Sequence, residues 1–274
     1  MKLRILTIVQ NGMPWLPLQC EQFENLNVDW EWHIVHGPAA NTGSTAWCGE
    51  NMAGLSTDGT TAFLEAINLV VDSVKVYEQD WWSGGKDEMV NCPLSNFTEE
   101  CVLLQMDVDE FWTAAQMESI LSLFESSPWI DMMKFRCNYF VGPDIIVSSK
   151  GGFGDLPEEW LRAWRWKPNM RFDSHEWPVL AGNKGKLLDK DYTEALGLVF
   201  NHYSWVLPKQ AQYKQEFYRW PAGAEFWSKL QRNKVWPVDL KKFFYWAPDG
   251  SKADLWSNVY PNTRNPFLRL RYHM

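Results

Sequence analysis

Apolar and polar positions along the first half of this chain alternate between two periods. Leu3, Ile5, Leu6, Ile8 and Val9 crowd together and predict a buried strand over 3–9, turned at its end by Gln10-Asn11-Gly12. Pro14 suits a first helical turn, and Leu16, Cys20 and Phe23 then recur at helical spacing. A second strand is expected over Trp30–Val35, ending at His36-Gly37-Pro38. Residues 39–59, rich in Gly, Ser, Thr and Asn, form a loop. Thr61–Val71 reads as a helix with Ala62, Phe63, Ala66, Ile67 and Val70 inward, followed by a short strand at Val74–Tyr77 and a helix over about 86–96. The run Val102–Met106 predicts a strand buried on both faces. Thr113 and Gln116 have the spacing of a capping box, ahead of an inward stripe of Met117, Ile120, Leu121 and Phe124.

Beyond residue 124 the periodicity weakens. Asp131–Val141 and Ile145–Val147 read as strands joined by a Gly142-Pro143-Asp144 turn, and Ser148–Asp155 as a mobile loop. Arg162–Arg171 is basic and tryptophan-rich, Val199–Trp205 a strand end and Lys209–Trp220 a helix; the aromatic tail from 225 wraps the core. Strands alternating with helices predict an α/β fold, a Rossmann-like mixed sheet flanked by helices. The expected division is a catalytic domain over 1–206 and an irregular, aromatic-rich extension over 207–274.

Composition narrows the partners. With 46% hydrophobic and 22% charged residues, the 274-residue chain has an ordinary globular balance. A net charge of −8 argues against nucleic acid, which attracts basic surfaces. No apolar run approaches the roughly 20 residues of a spanning helix, and the apolar start is too short for a signal peptide. Five cysteines without a CxxC pair are expected to stay reduced, in keeping with a cytoplasmic location. Eighteen tryptophans is an unusual count; most are expected in the core, and indole faces also stack on sugar rings and other flat or apolar ligands.

The chemistry concentrates in Cys101–Trp112. At the carboxyl end of this strand Asp107 and Asp109 point the same way, since side chains repeat every two residues. Two carboxylates on one face repel unless a cation lies between them, and a divalent metal with oxygen ligands resolves this. Ligands of open α/β sheets also bind at the carboxyl ends of strands. A metal-and-diphosphate site is the resulting expectation.

An apolar strand ending in Asp107-Val108-Asp109-Glu110-Phe111, after strand–helix alternation, resembles the D-x-D-E-F strand end of GT-A-fold glycosyltransferases of the family-2-like kind. The resemblance implies a nucleotide-sugar donor, a carbohydrate or other hydroxyl acceptor, and Mn²⁺ or Mg²⁺ on Asp107 and Asp109. It implies that Val9, Gln10, Asn11 and Asp80 lie along the nucleoside, that Lys86 meets phosphate, and that Asn91 braces the metal turn. His202 is the implied further metal ligand, with His175 competing for that role. Glu176 is the candidate base, with Glu110 between base and scaffold, and Arg165 and Lys167 are candidates to balance diphosphate charge. Two alternatives accompany this reading. A haloacid-dehalogenase-like phosphatase also places D-x-D after a buried strand, but wants the motif near the N-terminus. A tryptophan-rich carbohydrate-binding module would be all-β.

Overall fold

The structure is a computed structural model that describes residues 1–49, 54–156, 159–182 and 185–270. In chain order its elements are β1 (Lys2–Val9), α1 (Trp15–Phe23), β2 (Trp30–His36), α2 (Thr60–Val70), β3 (Val74–Glu78), α3 (Gly85–Asn91), β4 (Cys101–Gln105), β5 (Glu110–Phe111), α4 (Ala114–Ser126) and β6 (Ile130–Lys134). Then follow β7 (Arg136–Gly142), β8 (Ile145–Val147), β9 (Leu161–Trp166), β10 (Phe172–Ser174), β11 (Val179–Leu180), β12 (Lys186–Leu188), α5 (Lys190–Ala195), β13 (Val199–His202), α6 (Pro208–Phe217), α7 (Gly223–Gln231), β14 (Val238–Asp239) and β15 (Lys252–Leu255). Residues 50–53 of the expected 39–59 loop and 271–274 of the expected tail lie outside the described residues.

The chain divides into two compact units, Met1–Arg136 with Leu161–Val199, and Cys137–Trp160 with Phe200–Met274. This differs from the expected boundary at 206/207. Residues 137–160 leave the first unit because β8 pairs with β15, far along the chain, through Ala253↔Val147 and Leu255↔Ile145. A local pattern contains no trace of such a pairing.

In the first unit, strands run in the order β12-β6-β9-β4-β1-β2-β3 among the described residues. β4, β1, β2 and β3 are mutually parallel. β9 lies antiparallel between β4 and β6. Every residue of β4 is buried, as expected of an interior strand whose two faces are both covered. Leu6, Val35, Trp82, Met89, Val90, Leu103, Trp164 and Trp166 belong to one core cluster, so α3 and the sheet share it. The mixed α/β sheet flanked by helices is the expected fold class, and the all-β architecture of the binding-module alternative is not this fold.

Two local expectations hold, and a third holds at Ile67 but not across its stripe. The Thr113 hydroxyl accepts from Gln116 N at 3.2 Å while Gln116 Oε1 accepts from Thr113 N at 2.9 Å, and Met117, Ile120, Leu121 and Phe124 are buried. In α2 the buried residues are Thr60, Leu64 and Ile67, whereas Ala62, Ala66 and Val70 are exposed. The helix leads into an edge strand, β3, so only a narrow stripe meets the sheet.

In the second unit strands run β14-β15-β8-β7-β13. The expected β7–β8 hairpin is present, with Phe140 opposite Ile146. The 148–155 segment, read from its glycines as a mobile loop, is tied down. Ser148 N donates to Lys252 O at 2.8 Å, and Phe153 N to Ser251 Oγ at 2.9 Å. Trp205, Trp220 and Trp246 stack beside Phe244, which gives many of the tail's aromatics a core role. Among the described residues no helix is long and apolar enough to cross a membrane.

Candidate active site

The chain passes from β1 outward to β2 and β3, then returns to place β4 on the other side of β1. That reversal falls at the carboxyl ends of β1 and β4, the usual ligand position in open α/β sheets. Asp107 and Asp109 stand there, but not on a continuing strand. β4 ends at Gln105, and Glu110 N donates to Asp107 O at 3.0 Å, closing a turn over 107–110. The two-residue strand repeat therefore does not set their directions. Gln19 of α1 pins the turn, its amide donating to Asp107 O at 2.8 Å and Glu110 O at 3.0 Å.

The carboxylates of this turn have different surroundings. Glu110 is wholly buried and forms a two-pronged pair with Arg162 of β9, Nε to Oε2 at 3.0 Å and Nη2 to Oε1 at 2.8 Å. Glu110 Oε2 also accepts from Asp107 N at 3.2 Å. These contacts fit a scaffold better than a base. Asp107 keeps about a third of its side chain exposed, with Arg162 Nη2 3.3 Å from Oδ2. Burial opposes the Arg162 charge, but Glu110 and then Asp107 outweigh it and raise its pKa. Arg165, which alternates to the other face, donates to Ile130 O at 3.1 Å and Glu100 at 2.8 Å, and also to Phe124 O at the end of α4. It secures the scaffold instead of facing a diphosphate.

Lys86 of α3 reaches Glu176, with Nζ 3.5 Å from Oε1. Burial pushes the Glu176 carboxyl up, but Lys86 and then His175 outweigh it and hold its pKa below the usual value; Asp107 and Arg162 contribute at longer range. The segment carrying Glu176 is held by its backbone. His175 N donates to Asp87 Oδ1 at 2.8 Å and Glu176 N to Ser44 Oγ at 3.2 Å, while Asp87 also accepts from Ser44 N at 2.9 Å. Asn91 accepts from Phe172 N at 2.8 Å and donates to Phe172 O at 2.9 Å, so it clamps α3 to β10 and does not touch the 107–110 turn among its hydrogen bonds here. Burial, with Lys86 adding to it, lowers the His175 pKa. Trp81 and Trp177 are each nearly half exposed, whereas Trp82 is buried with Nε1 donating to His36 O at 2.9 Å.

At the carboxyl end of β1, where the resemblance implies a nucleoside, the chain supplies many of its own partners. Val9 is buried, and Gln10 donates to Gly54 O at 2.9 Å. Asn11 N donates to Ser56 Oγ, Gly12 N to Thr60 Oγ1 and Met13 N to Asp58 Oδ2, at 2.7–2.9 Å. His36, fully buried, bridges Glu78 at 2.6 Å and Ser56 at 2.8 Å. Gly37 permits this turn: its φ is +131°, and a Cβ would lie 2.2 Å from Gln79 O. Asp80 is exposed just beyond β3. His202 belongs to the second unit, where its buried ring packs edge-on against Tyr139 and Trp160, centroids 5.0 and 4.9 Å away.

Among the described residues no three His, Cys, Asp or Glu side chains assemble into a metal cage. Partly exposed carboxylates at a turn nevertheless suit Mg²⁺ or Mn²⁺, since Mg²⁺ is commonly held by one or two carboxylates with phosphate and water completing the sphere. The donor set fits a substrate-completed ion and not a resident one. Arg162 and Asp87 were not singled out from sequence. Arg162 falls on one side of an alternating Arg162-Ala163-Trp164-Arg165-Trp166 strand, and its place beside β4 follows only from the register Leu104↔Ala163.

No protein-family model matches the chain. No curated protein matches it. Solved structures that resemble it include S. aureus TarS 1–349, at 13% identity and TM-score 0.41, over 60% of this chain and 47% of that one. TarS 1–349 in complex with UDP-GlcNAc gives 11% and 0.42, over 83% and 70%. The mannosyltransferase PcManGT of Pyrobaculum calidifontis, in complex with GDP-Man and Mn²⁺, gives 13% and 0.45, over 97% and 71%. The chain thus spans about half the length of the first of these. Scores below 0.5 leave the chemistry of this chain to its own residues.

Proposed function

We propose that the chain is a glycosyltransferase that moves a sugar from a nucleoside-diphosphate donor to a hydroxyl acceptor. One observation carries the reading. Lys86, Asp107 and Glu176, from three separate stretches of sequence, share one electrostatic neighbourhood with Arg162 and His175 at the end of β4. Such a site offers positive charge for a diphosphate and a carboxylate for an incoming hydroxyl.

In this proposal Glu176 accepts the acceptor's proton as the acceptor oxygen bonds to the anomeric carbon. The bond from that carbon to the phosphate oxygen breaks, and its electron pair leaves with the diphosphate. Lys86 keeps Glu176 ionised and adds positive charge beside the phosphates. Asp107 and Asp109 are the residues that would hold Mg²⁺ or Mn²⁺, which when bound stabilises charge on the leaving group as a Lewis acid. Gln10, Asn11 and Asp80 line the nucleoside end. Arg162 and Glu110 fix the turn from beneath, supplying the preorganisation that positioning requires.

Calorimetric titration with UDP, GDP and ADP, with and without Mn²⁺, tests the reading on the wild type and on Asp109→Ala. One nucleotide is expected to bind the wild type in a metal-dependent manner and to lose that dependence in the variant. Failure of all three to bind would defeat the proposal.

A further inference from the structure

His175 is the one group of this constellation whose chemistry the mechanism above leaves unused. It is 6% exposed, and neither Nδ1 nor Nε2 has a hydrogen-bond partner among the described residues. The nearest carboxylate oxygen, Glu176 Oε1, is 3.9 Å from Nδ1, beyond hydrogen-bond reach. Buried polar atoms are nearly always bonded, and each exception asks for an explanation. An imidazole serving only as filling would be replaced at lower cost by an apolar ring, which carries no polar atoms to desolvate. This ring is instead held in place by its backbone, through the His175 N–H on Asp87 and the neighbouring Glu176 N–H on Ser44.

Its position indicates what it meets. The charges acting on it are those of Lys86, Glu176, Asp107 and Arg162. On the proposed function, on which this inference rests, the diphosphate lies towards Asp107 and the acceptor hydroxyl towards Glu176. The group in transit must lie between them, and His175 adjoins Glu176, its Nδ1 3.9 Å from Oε1. A sugar hydroxyl both donates and accepts, matching an imidazole with one donor and one acceptor nitrogen.

We propose that His175 is a specificity residue that hydrogen-bonds a hydroxyl of the sugar being transferred. The test compares nucleotide-sugars with their bare nucleotides. The full chain and its His175→Phe and His175→Gln variants are titrated calorimetrically with UDP-glucose, UDP-N-acetylglucosamine and GDP-mannose, and with UDP and GDP, all with Mn²⁺. In His175→Phe the preferred nucleotide-sugar is expected to bind about tenfold more weakly, the order of one hydrogen bond, while its bare nucleotide binds as to wild type. His175→Gln, which keeps a donor and an acceptor, recovers part of the difference. Equal losses for sugar and nucleotide, or none for either, overturn the assignment and leave the transferase reading standing. Absence of nucleotide binding to the wild type overturns both. Should the phenylalanine variant fail to fold, the imidazole ¹⁵N resonances of wild-type His175, assigned by their loss in His175→Gln, decide. They are expected to shift with the nucleotide-sugar and not with the nucleotide, and an identical response to both counts against the contact.

Discussion

Asp107 and Glu110 stand three residues apart and share Arg162, yet substitution should affect them in different ways. Glu110→Ala strands the Arg162 guanidinium in a buried setting, which typically costs roughly 3–5 kcal/mol, read as a lower urea midpoint. Asp107→Asn alters a partly exposed carboxylate with a 3.3 Å contact, so its stability loss should stay below about 1 kcal/mol while nucleotide binding falls. On the proposed mechanism, Glu176 sets the pH dependence. Its depressed pKa keeps the ionised form present as pH falls, so the acid limb of kcat/KM is expected below the ordinary glutamate value of about 4.3. Lys86→Met leaves burial to dominate and should move that limb to higher pH; identical profiles for the two proteins would remove Lys86 from the tuning.

The elements that were legible are those whose neighbours in sequence are also their partners in space. The Thr113–Gln116 box and the stripe of α4 are local, and Thr113→Ala should lower stability by about 1 kcal/mol in chemical denaturation. β4 was legible because a strand covered on both faces shows it in composition alone. The inward face of α2 was not, because its apolar residues outnumber those the edge of the sheet can cover. Leu64→Ala is expected to cost roughly 2–5 kcal/mol, whereas Ala66→Lys should stay within about 0.5 kcal/mol of wild type. The reverse order in thermal or urea unfolding would restore the stripe read from sequence.

For the molecule as a whole, the discontinuous second unit makes a prediction about truncation. A chain ending at residue 206 keeps β7, β8 and β13 but loses β15, leaving β8 an unpaired edge with Ile145 and Ile146 stripped of their cover. Such a fragment should be recovered mainly as aggregate or lack a cooperative transition, while the full chain unfolds cooperatively. A soluble 1–206 fragment with a sharp transition would favour the boundary expected from periodicity. The bareness of 148–155 in sequence has the same origin: glycines and serines there are ordered by Ser251 and Lys252, about a hundred positions away.

Sequence by itself determined the alternation of strands and helices, the buried β4, the capped α4, and the residue types around which a diphosphate site could be built: Asp107, Lys86 and Glu176. These are properties of short windows, where periodicity and charge are written directly. Only the tertiary structure decided that Asp107 and Asp109 occupy a turn instead of a strand face, that Glu110 is locked to Arg162, and that the His175 ring is buried without a hydrogen-bond partner among the described residues. Gln19 pins the turn from 88 positions away, Arg162 meets Glu110 across 52, and His175 N is anchored on Asp87 across 88, and hydrophobic pattern does not encode such pairings.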